Sequence, residues 1–189
     1  MKTRESGMPE EVTWASFFDP EQVLTRLQLH PRSRCVVDFG CGYGTFAIPA
    51  ARRITGVVHA LDIDPAMIAA TQTRAEAGQL NNIRVQQRDF VAHGTGLADA
   101  AADYVMLFNI LHAELPAVLL QETWRVLGAG GTVAVMHWNH DANTPRGPSM
   151  TIRPHPEHLV QTVTAAGFVP EGGLIDLPPY HYGAVFTKP

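Results

Sequence analysis

A short run from Cys35 to Phe39, apolar but for Asp38, is followed by glycines at every second position, Gly40, Gly42 and Gly44, and then continues from Thr45 to Ile54 on small and apolar residues with helical spacing. The run reads as a buried strand. The glycines let the backbone turn sharply and approach a ligand closely, and the helix that follows directs free N–H groups and a positive end back at the turn. A largely apolar strand feeding a helix in this way belongs in a sheet covered by helices on both faces. This segment therefore sets the fold class before the others are read.

The rest of the chain keeps the alternation. Asp19-Pro20 opens an amphipathic helix through Leu29, and Val57 to Asp62 forms a second strand. Asp64 as N-cap and Pro65 at the first helical position start a helix that Gly78 ends. Ile83 to Asp89 is the third strand and Tyr104 to Phe108 the fourth. A helix from Ala117 to Leu127, a glycine-rich turn at Gly128-Ala129-Gly130-Gly131 and a fifth strand from Thr132 to Trp138 follow. Pro156 to Ala166 is helical. Two last runs, Leu174 to Leu177 and Tyr182 to Thr187, flank Pro178-Pro179-Tyr180 and read as an antiparallel hairpin. The expectation is an α/β chain of one domain, residues 1–189, with an N-terminal helical and aromatic segment over 1–30 and a long loop over 139–156.

Composition narrows the function. Net charge is −4, and of the 14 basic residues only Lys2 and Lys188 are lysines, with the arginines scattered, so no basic stripe points to nucleic acid. The start, MKTRESGMPEE, lacks the apolar core of a signal peptide, and no apolar stretch approaches the ~20 residues of a membrane span; a cytoplasmic location is expected. Cys35 and Cys41 show no zinc-type spacing and read as free structural thiols.

The strand ends carry the chemistry, because ligands in open α/β sheets bind at the carboxyl ends of the strands. A dinucleotide fingerprint needs its third glycine three positions after the second, but here position 45 is threonine and the glycine stands at 44. Asp38, just in front of the glycines, favours a cationic group and repels a pyrophosphate. Asp62 ends strand two, where it can accept both hydroxyls of a ribose; Asp64 beside it reads as an N-cap. Asp89-Phe90 ends strand three with a carboxylate for an exocyclic amine and an aromatic face. Phe108-Asn109-Ile110-Leu111-His112 ends strand four.

These four strand ends, with Arg125-Val126-Leu127-Gly128-Ala129-Gly130-Gly131 before strand five, resemble the class I S-adenosylmethionine-dependent methyltransferases, small-molecule type, in the branch of the ubiquinone and menaquinone biosynthesis enzymes. The likeness runs from about Asp19 to Lys188. It departs from the family at Gly128 and Ala129, where lysine and proline usually stand. The resemblance implies a single-domain Rossmann-like seven-stranded sheet with helices on both faces and an antiparallel last strand. It implies S-adenosyl-L-methionine as cofactor, with Asp38, Gly40, Cys41 and Gly42 around its methionine part, Asp62 and Ile63 at the ribose, and Asp89 with Phe90 at the adenine. Phe108 and Asn109 would line the site near the sulfonium.

Methyl transfer asks the protein mainly to hold a nucleophile in line with the methyl group, and a base is needed only where the nucleophile arrives protonated. His112 is the candidate base, with Glu114 as its partner. A small-molecule acceptor is expected on the side of Trp138, Arg146 and Arg153, the arginines presenting guanidinium forks to a carboxylate or phosphate. The aromatics of Thr13-Trp14-Ala15-Ser16-Phe17-Phe18 either fold over the cleft or, the preferred reading, pack on the sheet edge.

Two features point elsewhere. Leu177-Pro178-Pro179-Tyr180 is similar to the Asn/Asp-Pro-Pro-aromatic motif of amino-methylating DNA enzymes, but it does not follow strand four and offers no acceptor for an amine. His137, His140, Asp141, His155 and His158 fall within 22 residues without any recognised metal-ligand spacing, so no metal is expected. Two cysteines are too few for an arsenite methyltransferase. The alternative function is a nucleoside-cofactor binder without methyl transfer, either an NAD-dependent oxidoreductase or a regulatory binder. Sequence does not set the oligomeric state.

Overall fold

The computed structural model describes residues 9–189. The strand Cys35–Phe39 (β1) sits at the centre of the sheet because its apolar residues are covered on both sides. Val57–Asp62 (β2), Ile83–Gln87 (β3), Ala102–Phe108 (β4) and Leu127–Trp138 (β5) lie parallel to it in the order β3-β2-β1-β4-β5. Sequence order reverses between β1 and β4, so the carboxyl ends of these two strands border the crevice in which ligands of such sheets sit.

Successive side chains of each strand enter different cores. Val36, Met106 and Met136 pack with the helices Pro20–Arg26 (α2), Ala47–Arg53 (α3) and Pro65–Ala77 (α4) on one face. Val37, Val105 and Val135 pack on the other face with Phe90–His93 (α5), Pro116–Val126 (α6) and Pro156–Ala165 (α7). Three of these helices start on an aspartate that satisfies an otherwise orphaned N–H: Asp19 accepts from Gln22 at 3.0 Å, Asp64 from Ala66 at 2.9 Å and Asp89 from Ala92 at 3.0 Å. The first two are followed by proline at the first helical position, as the sequence led one to expect.

The far edge is antiparallel. Val169–Pro170 (β6) and Ile175–Leu177 (β7) both pair with His181–Thr187 (β8), which itself runs antiparallel to β5 from Thr132↔Thr187 to Trp138↔His181. The expected hairpin over Pro178-Pro179-Tyr180 is therefore present. The expected seven strands become eight segments, because the chain facing β8 leaves the ladder after Glu171, where Gly172 takes φ 84, and rejoins it at Ile175 in a shifted register. Gly128 to Gly131 makes the expected glycine-rich turn as an irregularity inside β5: the register with β4 jumps from Ala102↔Leu127 to Tyr104↔Thr132, and Gly130 takes φ 74°. Gly130 donates to Lys188 O at 2.7 Å and Lys188 returns a bond to Gly131 O at 2.9 Å.

Residues 1–8 of the N-terminal segment lie outside the described residues. From Glu11–Ala15 (α1) onward, the segment crosses the carboxyl end of the sheet: Trp14 Nε1 donates to Thr45 Oγ1 at 3.1 Å, the Tyr43 hydroxyl donates to Pro9 O at 3.0 Å, and Glu11 pairs with Arg74.

Candidate functional site

Gly40, Gly42 and Gly44 have φ of 76°, 54° and 75°, a region that side chains with a Cβ enter only under strain. Gly44 also has no room, since a Cβ there would lie 2.9 Å from Thr71 Cγ2 of α4. The amides of this loop are already engaged. Those of Gly40 and Cys41 donate to Leu61 O at 2.8 and 2.9 Å, that of Gly42 to Asp62 Oδ2 at 2.9 Å, and that of Gly44 to Cys41 O at 2.9 Å. The helix α3 starts only at Ala47. The loop thus does not itself present a row of donors to a phosphate: these four amides are bonded back to β2 and to the turn itself.

A cavity of about 690 Å³ opens at the carboxyl ends of β1 to β5. Asp38 borders it while only 2% exposed, and burial, then the neighbouring charge of Asp62, pushes its carboxyl up to about 7. Asp62 is half-buried and fixed from behind, one oxygen accepting from Gly42 and the other from the Asp64 amide at 2.9 Å. Ile63 and Asp89 continue the wall. Phe90 both packs and lines: it is 6% exposed and meets Phe39 edge-on at 5.2 Å. The thiol of Cys41 is buried and raised well above its ordinary pKa, chiefly by desolvation.

At the end of β4, Phe108 stands edge-on to Phe46 at 4.9 Å, and Asn109 adopts φ 55 with its backbone N–H bonded to Met136 O at 2.8 Å. Both atoms of the Asn109 amide are buried without a hydrogen-bond partner in the protein. An orphaned amide on a left-handed asparagine beside a cavity costs stability unless a ligand satisfies it.

His112 also borders the cavity and is 9% exposed. Its Nδ1 lies 3.2 Å from Nε2 of His137, which is fully buried in β5, whereas Glu114, the partner expected from sequence, is exposed. Trp138 is 2% exposed, lines the cavity and packs against Phe17 at 5.3 Å and His181 at 4.2 Å. Trp14 reaches the cavity as well, so of the two roles weighed for the N-terminal aromatics Trp14 takes the covering one and Phe17 and Phe18 the packing one.

The two arginines of the long loop part company. Arg146 is exposed at the cavity rim with Gly147 and Pro148. Arg153 does not line the cavity: it is 7% exposed, and its guanidinium donates to the carbonyls of Asn139, Asp141, Arg146 and Pro148 and to Thr144 Oγ1 at 2.6 Å. Its donors are spent on the loop's own backbone, so the role expected for it as a fork for the acceptor gives way to fastening the loop. The histidines of this region are likewise scattered into separate contacts, His140 stacking on His155 at 3.5 Å while His137 sits inside the sheet. Among the described residues no group of three or more His, Cys, Asp or Glu is placed to hold a metal. No helix among them is long and apolar enough to cross a membrane.

The sequence reading thus missed His137 as a neighbour of His112, and for Trp14 it preferred packing to the covering role. For His137 a signal existed: a polar side chain at the strand parity of Val133 and Val135, both apolar and buried. For choosing the covering role of Trp14, which bonds a residue 31 positions away, there was none.

Residues 36–131 match the family model described as a methyltransferase domain. The ribosomal protein L11 methyltransferase of Methylococcus capsulatus is 45% identical over 76 residues, covering 40% of this chain and 24% of that protein. The aklanonic acid methyltransferase DauC of a Streptomyces species is 31% identical over 102 residues, covering 52% of this chain and 46% of that one. The chain spans about a quarter to a half of the length of the curated relatives it matches. The crystal structure of a SAM dependent methyltransferase from Aquifex aeolicus shares the fold, with a TM-score of 0.84 at 21% identity and 95% of each chain covered.

Proposed function

Since the chain belongs to the methyltransferase-domain family, its model spanning residues 36–131, we propose that it transfers the methyl group of S-adenosyl-L-methionine to a small-molecule acceptor by in-line displacement. One observation carries this reading. The amides of the glycine loop are turned away onto Leu61, Asp62 and Cys41, while a buried carboxylate, Asp38, faces the cavity beside them. Such a loop suits a cationic ammonium and sulfonium and disfavours a pyrophosphate, which also weighs against an NAD-dependent enzyme.

The residues present fit the cofactor. Asp38 would take the ammonium of its methionine part beside Gly40, Cys41 and Gly42. Asp62, its oxygens already oriented by two backbone N–H groups, would accept the ribose hydroxyls beside Ile63. Asp89 and Phe90 would hold the adenine. Phe108 and Asn109 would lie near the sulfonium, where the Asn109 amide gains the partner it lacks. The bound cofactor supplies an electrophilic methyl group on a good leaving group. The protein's contribution is alignment and exclusion of water, for which Trp14 and Trp138 cover the cavity. His112 takes the proton of an acceptor that arrives as a phenol, enol or amine, and Arg146 at the rim meets an anionic substituent. The aromatic wall supports a flat, partly apolar acceptor, in keeping with the narrower resemblance to the quinone-biosynthesis branch.

Calorimetric titration tests the reading. Binding of S-adenosylhomocysteine with no binding of NAD supports it, and binding of NAD alone overturns it. Turnover of S-adenosylmethionine across a panel of phenols, hydroxy acids, amines and isolated ribosomal protein then sorts the acceptor class. Methylation of the ribosomal protein with none of the small molecules would replace the small-molecule assignment.

A further inference from the structure

Resting on the reading of His112 as the group that takes the acceptor's proton, we propose that His137 is its positioning residue, accepting a hydrogen bond from His112 Nδ1 so that Nε2 is the nitrogen that receives the proton. The two rings stand nearly perpendicular, 82° apart with centroids 5.3 Å apart, and Nδ1 of His112 lies 3.2 Å from Nε2 of His137. Which nitrogen of a histidine carries the proton is set by the bond that the other nitrogen makes. His112 lies just past the end of β4; His137 is fixed in β5, between β4 and β8, and is 0% exposed. The rigid member of the pair therefore orients the other.

The direction of the bond follows from the proton that His112 is to receive at Nε2, which requires its Nδ1 to carry hydrogen already. Burial holds His137 well below the usual imidazole pKa, and the neighbouring His112, His181 and Arg153 lower it further, against a backbone contact at Trp138 that raises it. His137 stays neutral. When the acceptor's nucleophilic atom bonds the methyl carbon and the carbon–sulfur bond breaks toward sulfur, the proton passes to His112 Nε2. The imidazolium so formed has an N–H on both nitrogens, and His137 can answer its Nδ1–H only as an acceptor. A residue that already accepts there before the reaction needs no reorganisation during it.

The test reads the tautomer directly in the free protein. In long-range proton–nitrogen spectra of ¹⁵N-histidine-labelled protein at neutral pH, assigned with His112→Gln and His137→Gln, His112 is expected to carry its proton on Nδ1. His137→Phe and the smaller His137→Leu, which offer no acceptor, should shift His112 toward the Nε2–H form; His137→Gln, whose carbonyl can accept, should keep the Nδ1–H form. A wild-type His112 protonated on Nε2 overturns the proposal, as does an unaltered tautomer in a folded His137→Phe or His137→Leu. Calorimetry with S-adenosylhomocysteine on the same sample separates the two readings: an Nδ1–H His112 in a protein that binds none leaves the pair standing and removes the methyl-transfer reading.

Discussion

The Gly42 amide donates to Asp62 Oδ2 across 2.9 Å, tying the glycine turn after β1 to the carboxylate at the end of β2. Asp62 is thus both a ligand group and a strut. Asp62→Ala should weaken S-adenosylhomocysteine binding by about 30-fold or more, roughly 2 kcal/mol, from the lost contacts to the ribose. Because the Gly42 and Asp64 amides lose their acceptor too, folding stability should fall by about 1–2 kcal/mol in urea denaturation. Unchanged affinity would remove Asp62 from the cofactor site.

Asp38 makes stability fall as pH rises. Its carboxyl, at 3.8 when unperturbed, is raised to about 7 by burial and then by Asp62. The folded state therefore binds more protons than the unfolded state between those values, and the stabilisation is complete below the lower one and lost on passing the upper. The effect is bounded by roughly 4 kcal/mol. Asp38→Asn should flatten the pH dependence between about pH 4 and 7 and raise the melting temperature at pH 8, while weakening S-adenosylhomocysteine binding. A variant with the wild-type pH profile of stability would contradict the assignment of this slope to Asp38.

Gly44 and Gly130 share a left-handed φ, 75° and 74°, but not their surroundings. A Cβ at Gly44 would press on Thr71 and Ile48 at 2.9 and 3.0 Å, and one at Gly130 would meet nothing within 4 Å. Gly130→Ala should cost about 1 kcal/mol from backbone strain alone, and Gly44→Ala about 2–4 kcal/mol, because repacking adds to the strain. Equal losses in thermal or urea melts would show that the contact with α4 is not what Gly44 secures.

Arg153 and Arg146 should separate stability from acceptor recognition. Arg153→Ala strips the donors from four loop carbonyls and should lower stability by about 2–4 kcal/mol. Arg146→Ala, at the exposed rim, should leave the S-adenosylhomocysteine dissociation constant within about threefold. It should raise KM for an anionic acceptor by about tenfold or more. A loss of cofactor affinity with unchanged acceptor kinetics in Arg146→Ala would make the loop a cofactor lid.

Wherever residue type alone decides local geometry, the sequence carried the information. Asp-Pro pairs started α2 and α4, apolar runs made β1 and β4, and Pro178-Pro179 turned the last hairpin. The carboxylates of the site were legible for the same reason, since each ends a strand and parallel strands bring their carboxyl ends to one side of the sheet. The short helix α5 was not read, because four residues carry no periodicity.

By itself, then, the sequence determined the alternating α/β order, the glycine turn and the row Asp38, Asp62, Asp89, Asn109 along one edge of the sheet. Only the tertiary structure decided what each polar group has left to offer. It spent Arg153 on its own loop and the glycine amides on β2 and the turn, drew Trp14 over the cavity, and set His137 against His112 from 25 residues away. The physical reason is that a residue's type fixes which bonds it can make, while the choice among them depends on neighbours that the chain brings close only by folding, and on burial that makes an unmade bond costly.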